Sequence, residues 1–307
     1  MFKPAFCIIL LLGFFGISQN ETYTVSNIGL NDKKPHFGLS FDKEGGVLFT
    51  SYLVNKNGRV KLVMSGDGIL SLYSGKITEK GEIEEVETLL IDENEDVSNI
   101  TSASYSPNGK YLYVTTTYEN RKNKPKGNFK KENFHIEIAE FKNGIGWTNF
   151  SVLPFCEPKY SYAHPVSSPD GKALYFIANI RGGKQTAKGA SDIFKVEMLG
   201  NETYSEPINL GGNVNSYSKE MFPFIGHDNT LYFASNRPGG FGGFDIYKCP
   251  INADGTYGKA EKMPNPINSK KDDFCFVIDA ENKTGYFTSK RDGGKGDDDI
   301  YYFELSK

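Results

Sequence analysis

Three things are scarce in this sequence: an excess of charge of one sign, long apolar runs, and cysteines at metal-binding or redox spacing. Its 307 residues include 35 Lys and Arg and 38 Asp and Glu, a net charge of -3. This balance excludes a generally basic surface of the nucleic-acid-binding type. The apolar run at 5–17 is shorter than the roughly 20 residues of a membrane-spanning helix. The four cysteines form no C-x-x-C pair, so neither a zinc ribbon nor a thioredoxin-type site is supported.

The first residues have the pattern of an export signal. Lys3 precedes the apolar run, and the small residues Gly16 and Ser18 stand just before a possible cleavage point. We expect residues 1–18 to be a cleaved signal peptide, which predicts a periplasmic, outer-membrane-associated or secreted protein. The alternative is a buried N-terminal strand or helix. Lipidation would need a cysteine at the end of the run, whereas Cys7 lies at its beginning.

Signal cleavage would leave three cysteines, Cys156, Cys249 and Cys275. Because the number is odd, at least one of them is unpaired or pairs between chains. A chain of this length does not depend on disulfides for its core. We expect all three to be buried structural thiols.

The sequence shows no helical periodicity. It contains instead a set of predicted strands that repeats along the chain. Each unit has a short apolar strand, a turn, a strand rich in Tyr and Phe, a Gly-rich or charged loop, and a third strand. The turn reads Ser-Pro-Asn-Gly-Lys from Ser106 and Ser-Pro-Asp-Gly-Lys from Ser168, and Asn-Gly and Asp-Gly are hairpin signals. The equivalent second-strand residues are spaced by 65, 62, 57 and 54 positions: Phe49, Val114, Phe176, Phe233 and Phe287.

Repeated units of four strands predict an all-β fold, a single β-propeller that occupies residues 19–307. Fourth strands are expected at 85–91, 148–153, 206–210 and 260–263. Five blades are favoured, and a sixth would have to lie within residues 55–100. Residues 22–29 are similar to the fourth strand at 206–211, so we expect the N-terminal strand to complete the last blade and close the ring.

Three of the units carry a more specific pattern. The segments are Asn-Ile-Arg-Gly-Gly from Asn179, Ser-Asn-Arg-Pro-Gly-Gly from Ser235 and Ser-Lys-Arg-Asp-Gly-Gly from Ser289, each followed by Asp-Ile-Phe or Asp-Ile-Tyr. With the Ser-Pro-Asp-Gly turn, they resemble the WD40-like propeller repeat of TolB-type proteins. The pattern is nearest to cell-envelope proteins of the Bacteroidetes type, in which the propeller often precedes an OmpA-like domain. That domain is not found here, so the resemblance implies an envelope propeller without an inferred anchor.

The repeated polar residues are expected to be structural ties. The pattern places one arginine and one aspartate in each of three blades, where they would pair across the loop between strands two and three: Arg181 with Asp192, Arg237 with Asp245 and Arg291 with Asp299. Glu220 and Asp273 precede the inner strands of units four and five. They are candidates either for fixing neighbouring blades or for facing the channel and binding a ligand.

A basic segment at 119–132 is the main candidate binding surface. It contains six basic and two acidic residues, and the basic ones are Arg121, Lys122, Lys124, Lys126, Lys130 and Lys131. Such a rim would attract an anionic glycan, a lipid headgroup or an acidic protein. The alternative is an exposed insertion without a ligand. We therefore expect an exported, non-catalytic binding or scaffold module with an envelope protein or glycan as partner, and no nucleic acid; the oligomeric state is left open.

Two other interpretations stand beside the module. A carbohydrate-active lyase or hydrolase would use His164 at the channel mouth, and it predicts a funnel where His and carboxylates with perturbed pKa values converge. A module instead predicts a channel plugged by Phe and Tyr. A third possibility is a subunit of a larger envelope complex. The sequence gives no reason for a cofactor or metal, because Asp292 and the aspartates at 297–299 lack EF-hand spacing.

Overall fold

The computed structural model describes residues 22–306, except 43, 64, 120, 123–129, 201, 280 and 282. The predicted signal peptide, Cys7, Lys124 and Lys126 lie outside the described residues. Over the part that is described, every regular element is a β-strand, and no helix long and apolar enough to cross a membrane occurs there.

Five antiparallel sheets form the five blades of a β-propeller, as the repeat predicts. The strands of blades 1 and 2 are β2 (Phe37–Phe41), β3 (Gly46–Tyr52), β4 (Leu70–Ile77), β5 (Ile83–Thr88), β6 (Ser102–Tyr105), β7 (Tyr111–Thr116), β8 (His135–Lys142) and β9 (Gly146–Val152). Those of blades 3 and 4 are β10 (Tyr162–Ser167), β11 (Ala173–Ala178), β12 (Asp192–Gly200), β13 (Thr203–Tyr204), β14 (Ile208–Asn209), β15 (Glu220–Ile225), β16 (Thr230–Ser235), β17 (Asp245–Pro250) and β18 (Glu261–Lys262).

Blade 5 joins the two ends of the described chain. It consists of β19 (Asp273–Asp279), β20 (Thr284–Ser289), β21 (Asp299–Ser306) and β1 (Thr22–Asn27). β1 pairs with β21 along its whole length, from Thr22 opposite Ser306 to Asn27 opposite Tyr301. The prediction that the N-terminal strand closes the ring is therefore confirmed, and β21 is not left as a free edge.

The turn between strands one and two is fixed by a serine hydroxyl. The Ser106 and Ser168 hydroxyls accept hydrogen bonds from the amides of Tyr111 and Ala173, both at 2.9 Å. Gly109 and Gly171 have φ values of 68° and 69°, which glycine adopts without steric cost. These turns explain why the Ser-Pro-x-Gly segments mark hairpins in the sequence.

The core lies between the blades and is built mainly from second and third strands. Phe49, Phe176, Phe233 and Phe287, four of the residues that define the repeat spacing, are at most 1% exposed. The three described cysteines are free and buried in this packing, as expected. Burial raises the pKa of the Cys249 thiol to about 11 and that of Cys156 to about 12, so these thiols are unreactive at neutral pH.

The inner strands of four blades contain a feature that the sequence analysis did not predict. β2, β10, β15 and β19 each shift register at a β-bulge. One residue at each bulge has a positive φ: Gly38 at 69°, His164 at 54°, Phe222 at 48° and Cys275 at 54°. Three of them are not glycine, and this conformation is sterically costly for a bulky residue. These four residues are called the bulge ring below.

Candidate binding cavity on the propeller axis

A cavity of about 1110 Å³ lies on the propeller axis. All five inner strands line it, together with the turns between strands one and two. Its wall begins at the bulge ring and continues to the turn residues Asp42, Pro107, Pro169 and His227. Because these turns lie at the ends of the inner strands, the cavity opens on their side of the propeller, which we call the turn face.

Hydrogen bonds between neighbouring blades hold the bulge ring at the inner end of the cavity. The amide of Phe222 donates to Nδ1 of His164 at 3.1 Å, and the amide of His164 donates to Oγ1 of Thr115 in blade 2 at 2.9 Å. Across the closure, the amide of Gly38 lies 3.2 Å from Sγ of Cys275. The positive φ values thus turn backbone donors toward the adjacent blade.

His164 is held as a neutral acceptor. Its ring stacks on Phe222 with centroids 3.6 Å apart, and burial lowers its pKa to about 3. Since Nδ1 already accepts the Phe222 amide, the tautomer is fixed with its proton on Nε2. The structure therefore places the sequence-predicted His164 inside the cavity wall, and the described residues provide no carboxylate bonded to its ring.

One side of the cavity is aromatic. Phe41, Phe224 and Tyr286, from blades 1, 4 and 5, pack edge to face with centroid distances of 6.5 Å (Phe41 to Phe224) and 6.3 Å (Phe41 to Tyr286). Tyr302 packs beside Tyr286 at 5.5 Å. This aromatic wall presents apolar ring surface that suits the body of an organic ligand.

The opposite side, contributed by blades 2 and 3, carries serine hydroxyls and prolines. The hydroxyls of Ser104 and Ser167 are buried and have no hydrogen-bond partner. Their residues are only 4% and 9% exposed. Unsatisfied buried hydroxyls are uncommon in folded proteins. Neither oxygen is exposed to the cavity in this conformation, so a ligand reaches them only after a change of χ1 rotamer. We call this side the hydroxyl wall.

The charged residues of the cavity lie at its mouth, and all are acidic. Among its described lining residues are four carboxylates and no Lys or Arg: Asp42, Glu79, Asp279 and Glu281. Asp42 accepts the amides of Glu44 and Gly46 at 2.8 and 2.7 Å, and Asp279 accepts the amide of Glu281 at 3.1 Å. The two aspartates thus stabilise their own turns, whereas Glu79 and Glu281 are exposed.

A groove of about 560 Å³ continues from the cavity mouth between blades 3 and 4. The cavity and the groove share Pro169, Ile225 and His227. The groove then runs past Tyr175, and its charges are mixed, including Asp170, Lys172, Lys195 and Glu197. The two spaces together would accommodate an extended ligand.

The repeated arginines bind partners other than the predicted ones. Arg237 pairs with Glu220 at 3.0 Å, and Arg291 pairs with Asp273 at 2.8 Å. Glu220 and Asp273 begin the inner strands of their blades and are fully buried. The expectation of Arg–Asp pairs between strands two and three is therefore corrected, because the inner-strand carboxylate lies directly opposite the serine that ends strand two.

Glu220 and Asp273 are consequently internal residues rather than ligand-binding ones. Each also accepts a hydrogen bond from a strand-two serine, Ser235 at 2.9 Å and Ser289 at 2.6 Å. Among the described residues, no acid pairs with Arg181, and its guanidinium donates to the carbonyl oxygens of Ala187 and Gly189, both at 2.6 Å.

The repeated aspartates fix the loop that precedes strand three. Asp192 accepts the amides of Lys188 and Gly189 at 2.8 and 2.9 Å. Asp245 accepts the amides of Phe241 and Gly242, and Asp299 those of Lys295 and Gly296. A Cβ on Gly240 would lie 1.9 Å from Oδ2 of Asp245, which explains why this loop position is a glycine.

The described residues of the basic segment, 119, 121, 122 and 130–132, lie on the face opposite the cavity mouth, since loops between strands two and three emerge there. Arg121 does not contribute to its surface: it pairs with Glu137 at 2.6 Å, and its side chain is 7% exposed. Lys122, Lys130 and Lys131 are exposed. These three lysines are called the basic rim below. Within the described ranges, no group of three or more His, Cys, Asp or Glu is placed to hold a metal ion.

The blades and the axial cavity define this chain as a five-bladed β-propeller with a ligand-sized central site. No family model and no curated protein matches it.

Solved structures of similar fold include a thermostable family-43 glycoside hydrolase (12% identity, TM-score 0.55, 91% of this chain and 92% of that one). Another is an alpha-L-arabinofuranosidase from Lactobacillus brevis (11% identity, TM-score 0.53, 89% and 91%). A third is a putative TolB from Agrobacterium tumefaciens (12% identity, TM-score 0.50, 94% and 98%). At these identities the likeness shows the fold alone, and it includes the TolB-like propeller expected from the repeats.

Proposed function

We propose that this chain is an exported, non-catalytic binding module that holds its ligand in the central cavity. The observation that carries the proposal is the distribution of chemical groups along the cavity. Its interior offers aromatic rings, serine hydroxyls and a neutral histidine, while its described carboxylates lie in turns at the mouth. This is the composition of a recognition site, with an apolar interior and a few polar groups.

The same distribution argues against the carbohydrate-active alternative. Glycoside hydrolysis needs two carboxyl groups that flank the scissile bond. Asp42 and Asp279 are hydrogen-bonded to the amides of their own turns. His164 would be a poor general base at neutral pH, because its pKa lies near 3 and Nδ1 is occupied.

Export and an envelope partner are part of the proposal. The signal-like pattern of residues 1–18 supports export to the periplasm, the outer membrane or the medium. Lys122, Lys130 and Lys131 on the basic rim would meet an acidic envelope protein or an anionic glycan. The exposed aromatic residues Tyr217 (89%) and Phe241 (47%) lie on the same side of the ring.

An envelope extract from the source cells tests the module. The immobilised chain is compared with Ser40→Trp, which fills the cavity, and with a triple rim variant in which Lys122, Lys130 and Lys131 become Ser. We expect wild type to retain a cavity ligand that Ser40→Trp loses and the rim variant keeps, and an acidic rim partner with the reverse pattern. Loss of every retained component in the rim variant, with none lost in Ser40→Trp, would move the site to the basic rim and contradict the cavity assignment.

Enzyme activity is measured in the same extract. Release of reducing sugar ends by wild type, abolished in His164→Asn, would overturn the non-catalytic proposal in favour of a carbohydrate-active enzyme. Retention of a ligand without release of sugar ends is the result that we expect.

A further inference from the structure

We propose that the central cavity recognises a primary amine carried on an apolar chain. The inference rests on the proposed function, in which the cavity is the ligand site, and it adds the chemical class of the ligand. Three separate features of the wall support it: its charge, its aromatic side and its unpartnered hydroxyls.

The charge of the lining selects a cation. Its four carboxylates face no lining Lys or Arg, so an anionic ligand would be repelled at the mouth. Lysines do occur in nearby turns: Lys80, Lys110, Lys172 and Lys283. Of these, Lys172 lies 3.4 Å from Asp170 and Lys110 lies over the ring of Tyr111 at 4.7 Å. In a partly enclosed site, attraction between a cation and carboxylates exceeds that in open water.

The aromatic wall accommodates both parts of such a ligand. An alkyl chain packs against the rings of Phe41, Phe224 and Tyr286, and an ammonium group is attracted to ring faces. Phe41 and Phe224 are only partly buried, so their surfaces are accessible from the cavity. A strongly hydrated inorganic cation would not use these surfaces, which favours an organic one.

The hydroxyl wall distinguishes a primary amine from a quaternary one. A primary ammonium carries three N–H donors, and a quaternary ammonium has none. The buried Oγ atoms of Ser104 and Ser167 lack partners, and a change of χ1 rotamer toward the cavity would let them accept those donors. An amine seated between the two walls would therefore satisfy buried groups that the folded protein leaves unpaired.

The amine can belong to a free alkylamine or to a lysine side chain of a peptide. Both present the same chemistry to the cavity. The groove between blades 3 and 4 would add contacts only for the peptide, because a short alkylamine does not extend beyond the mouth.

Calorimetric titration of the full chain with three probes tests the inference. Hexylamine, hexanol and hexanoate share one alkyl chain and differ in charge. We expect hexylamine to bind at least tenfold more tightly than hexanol, and hexanoate to give no binding. Binding of hexanol or hexanoate as tight as that of hexylamine, abolished by Ser40→Trp, would overturn the amine assignment and leave the cavity as a ligand site. Absence of heat with all three probes would also overturn it, while the extract experiment judges the proposed function separately.

Variants locate the amine. The double variant Glu79→Gln, Glu281→Gln removes two exposed mouth charges, and we expect it to weaken hexylamine binding about tenfold. The matched control, Glu132→Gln with Asp292→Asn, removes two charges on the opposite face and should leave binding unchanged. Equal effects of the two pairs would contradict binding in the cavity. A capped lysine peptide that binds tenfold more tightly than hexylamine would identify the peptide as the source, and equal or weaker binding the free amine.

Discussion

At the scale of single residues, the arginine ties concentrate several interactions on one buried charge. The guanidinium of Arg291 pairs with Asp273 and also donates to the carbonyl oxygens of Pro266 and Ile267 at 2.9 and 2.7 Å. It lies over the rings of Phe287 and Tyr301 at 4.7 and 4.8 Å. A planar guanidinium can make all of these contacts at once, whereas a lysine ammonium cannot.

Arg291→Leu should therefore destabilise the propeller by about 3 kcal/mol. The physical reason is that it leaves the carboxylate of Asp273, fully buried in the native protein, without its countercharge. Urea unfolding at pH 7 measures the change, and Arg291→Leu combined with Asp273→Asn should recover part of the loss.

Arg181→Leu is the matched control for this prediction. Its guanidinium donates only to the carbonyls of Ala187 and Gly189 among the bonds described, so we expect a loss of about 1 kcal/mol. Equal losses for Arg181→Leu and Arg291→Leu would show that the ion pair contributes nothing beyond the carbonyl contacts.

The repeated arginines and acids could be recognised in the sequence, but which acid pairs with each arginine could not be predicted from it. Arg237 has one acid eight positions later, Asp245, and another seventeen positions earlier, Glu220. Only the pairing of Glu220 with Ser235 in adjacent strands decides which acid the guanidinium meets. Composition and spacing predict that a tie exists, and strand register determines its geometry.

At the scale of the element, the Asp-Ile-aromatic segments owe their repetition partly to asparagines that the sequence analysis missed. Asn215 accepts the amide of Ile193 at 2.8 Å and donates to its carbonyl at 2.9 Å. Asn268 does the same for Ile246 at 2.7 and 2.9 Å. Both asparagines follow their isoleucines by 22 residues, a constant spacing that a search between repeats would reveal. Asn31 makes the same two hydrogen bonds with the backbone of Ile300, across the closure of the ring.

The bulges of the inner strands were not predictable in the same way. Positive φ values are usually marked by Gly, Asn or Asp, and only Gly38 gives that signal. At His164, Phe222 and Cys275 the conformation follows from tertiary contacts between blades. The lining of the central cavity depends on these bulges, so the turns could be predicted from the sequence, but the site could not.

The closing strand β1 should contribute stability chiefly through Tyr23. Its ring is 6% exposed and packs edge to face on Phe303 at 5.9 Å. Tyr23→Ala removes this contact, and we expect a loss of about 3 kcal/mol of unfolding free energy with more self-association as the edge of β21 frays. Thr24→Ala, on the exposed side of the same strand, should change stability by less than about 0.5 kcal/mol.

Urea unfolding and size-exclusion chromatography measure the two effects together. A stable, monomer-like Tyr23→Ala variant would show that the ring does not need its N-terminal closure.

At the scale of the whole molecule, the propeller places its acidic cavity mouth and the described lysines of its basic segment on opposite faces. The acidic cavity mouth lies on the turn face, and the exposed lysines of the basic rim lie on the other. The basic residues at 119–132 are neighbours in the sequence and predict a basic surface, whereas the acidic mouth combines turns of separate blades and could not be predicted from the sequence. The repeat spacing established the number of blades, because each unit contributes one closed sheet.

The ring as a whole should lose stability in mild acid, and His164 should account for a definable part of the loss. Its pKa in the folded state is lowered to about 3 from an ordinary value of 6.5, so the unfolded chain binds a proton that the folded chain does not. The unfolding free energy is therefore highest above pH 6.5 and falls as the pH decreases toward 3. Burial lowers the pKa of His36 as well, which adds a loss of the same sign.

Comparison of variants at pH 7 and 4.5 isolates the contribution of His164. Asparagine tolerates a positive φ, and its side-chain oxygen can replace Nδ1 as acceptor of the Phe222 amide, so His164→Asn should fold. We expect its loss of unfolding free energy between the two pH values to be smaller than that of wild type by about 2 kcal/mol. Burial raises the pKa values of Asp245 and Asp298, but these groups are common to both proteins and cancel in the difference.

His227→Asn, at an exposed position of the mouth, is the matched control and should lose as much unfolding free energy as wild type. If His164→Asn also loses as much as wild type, His164 takes up a proton in the folded ring, and its description as a fixed neutral acceptor in the cavity wall is wrong.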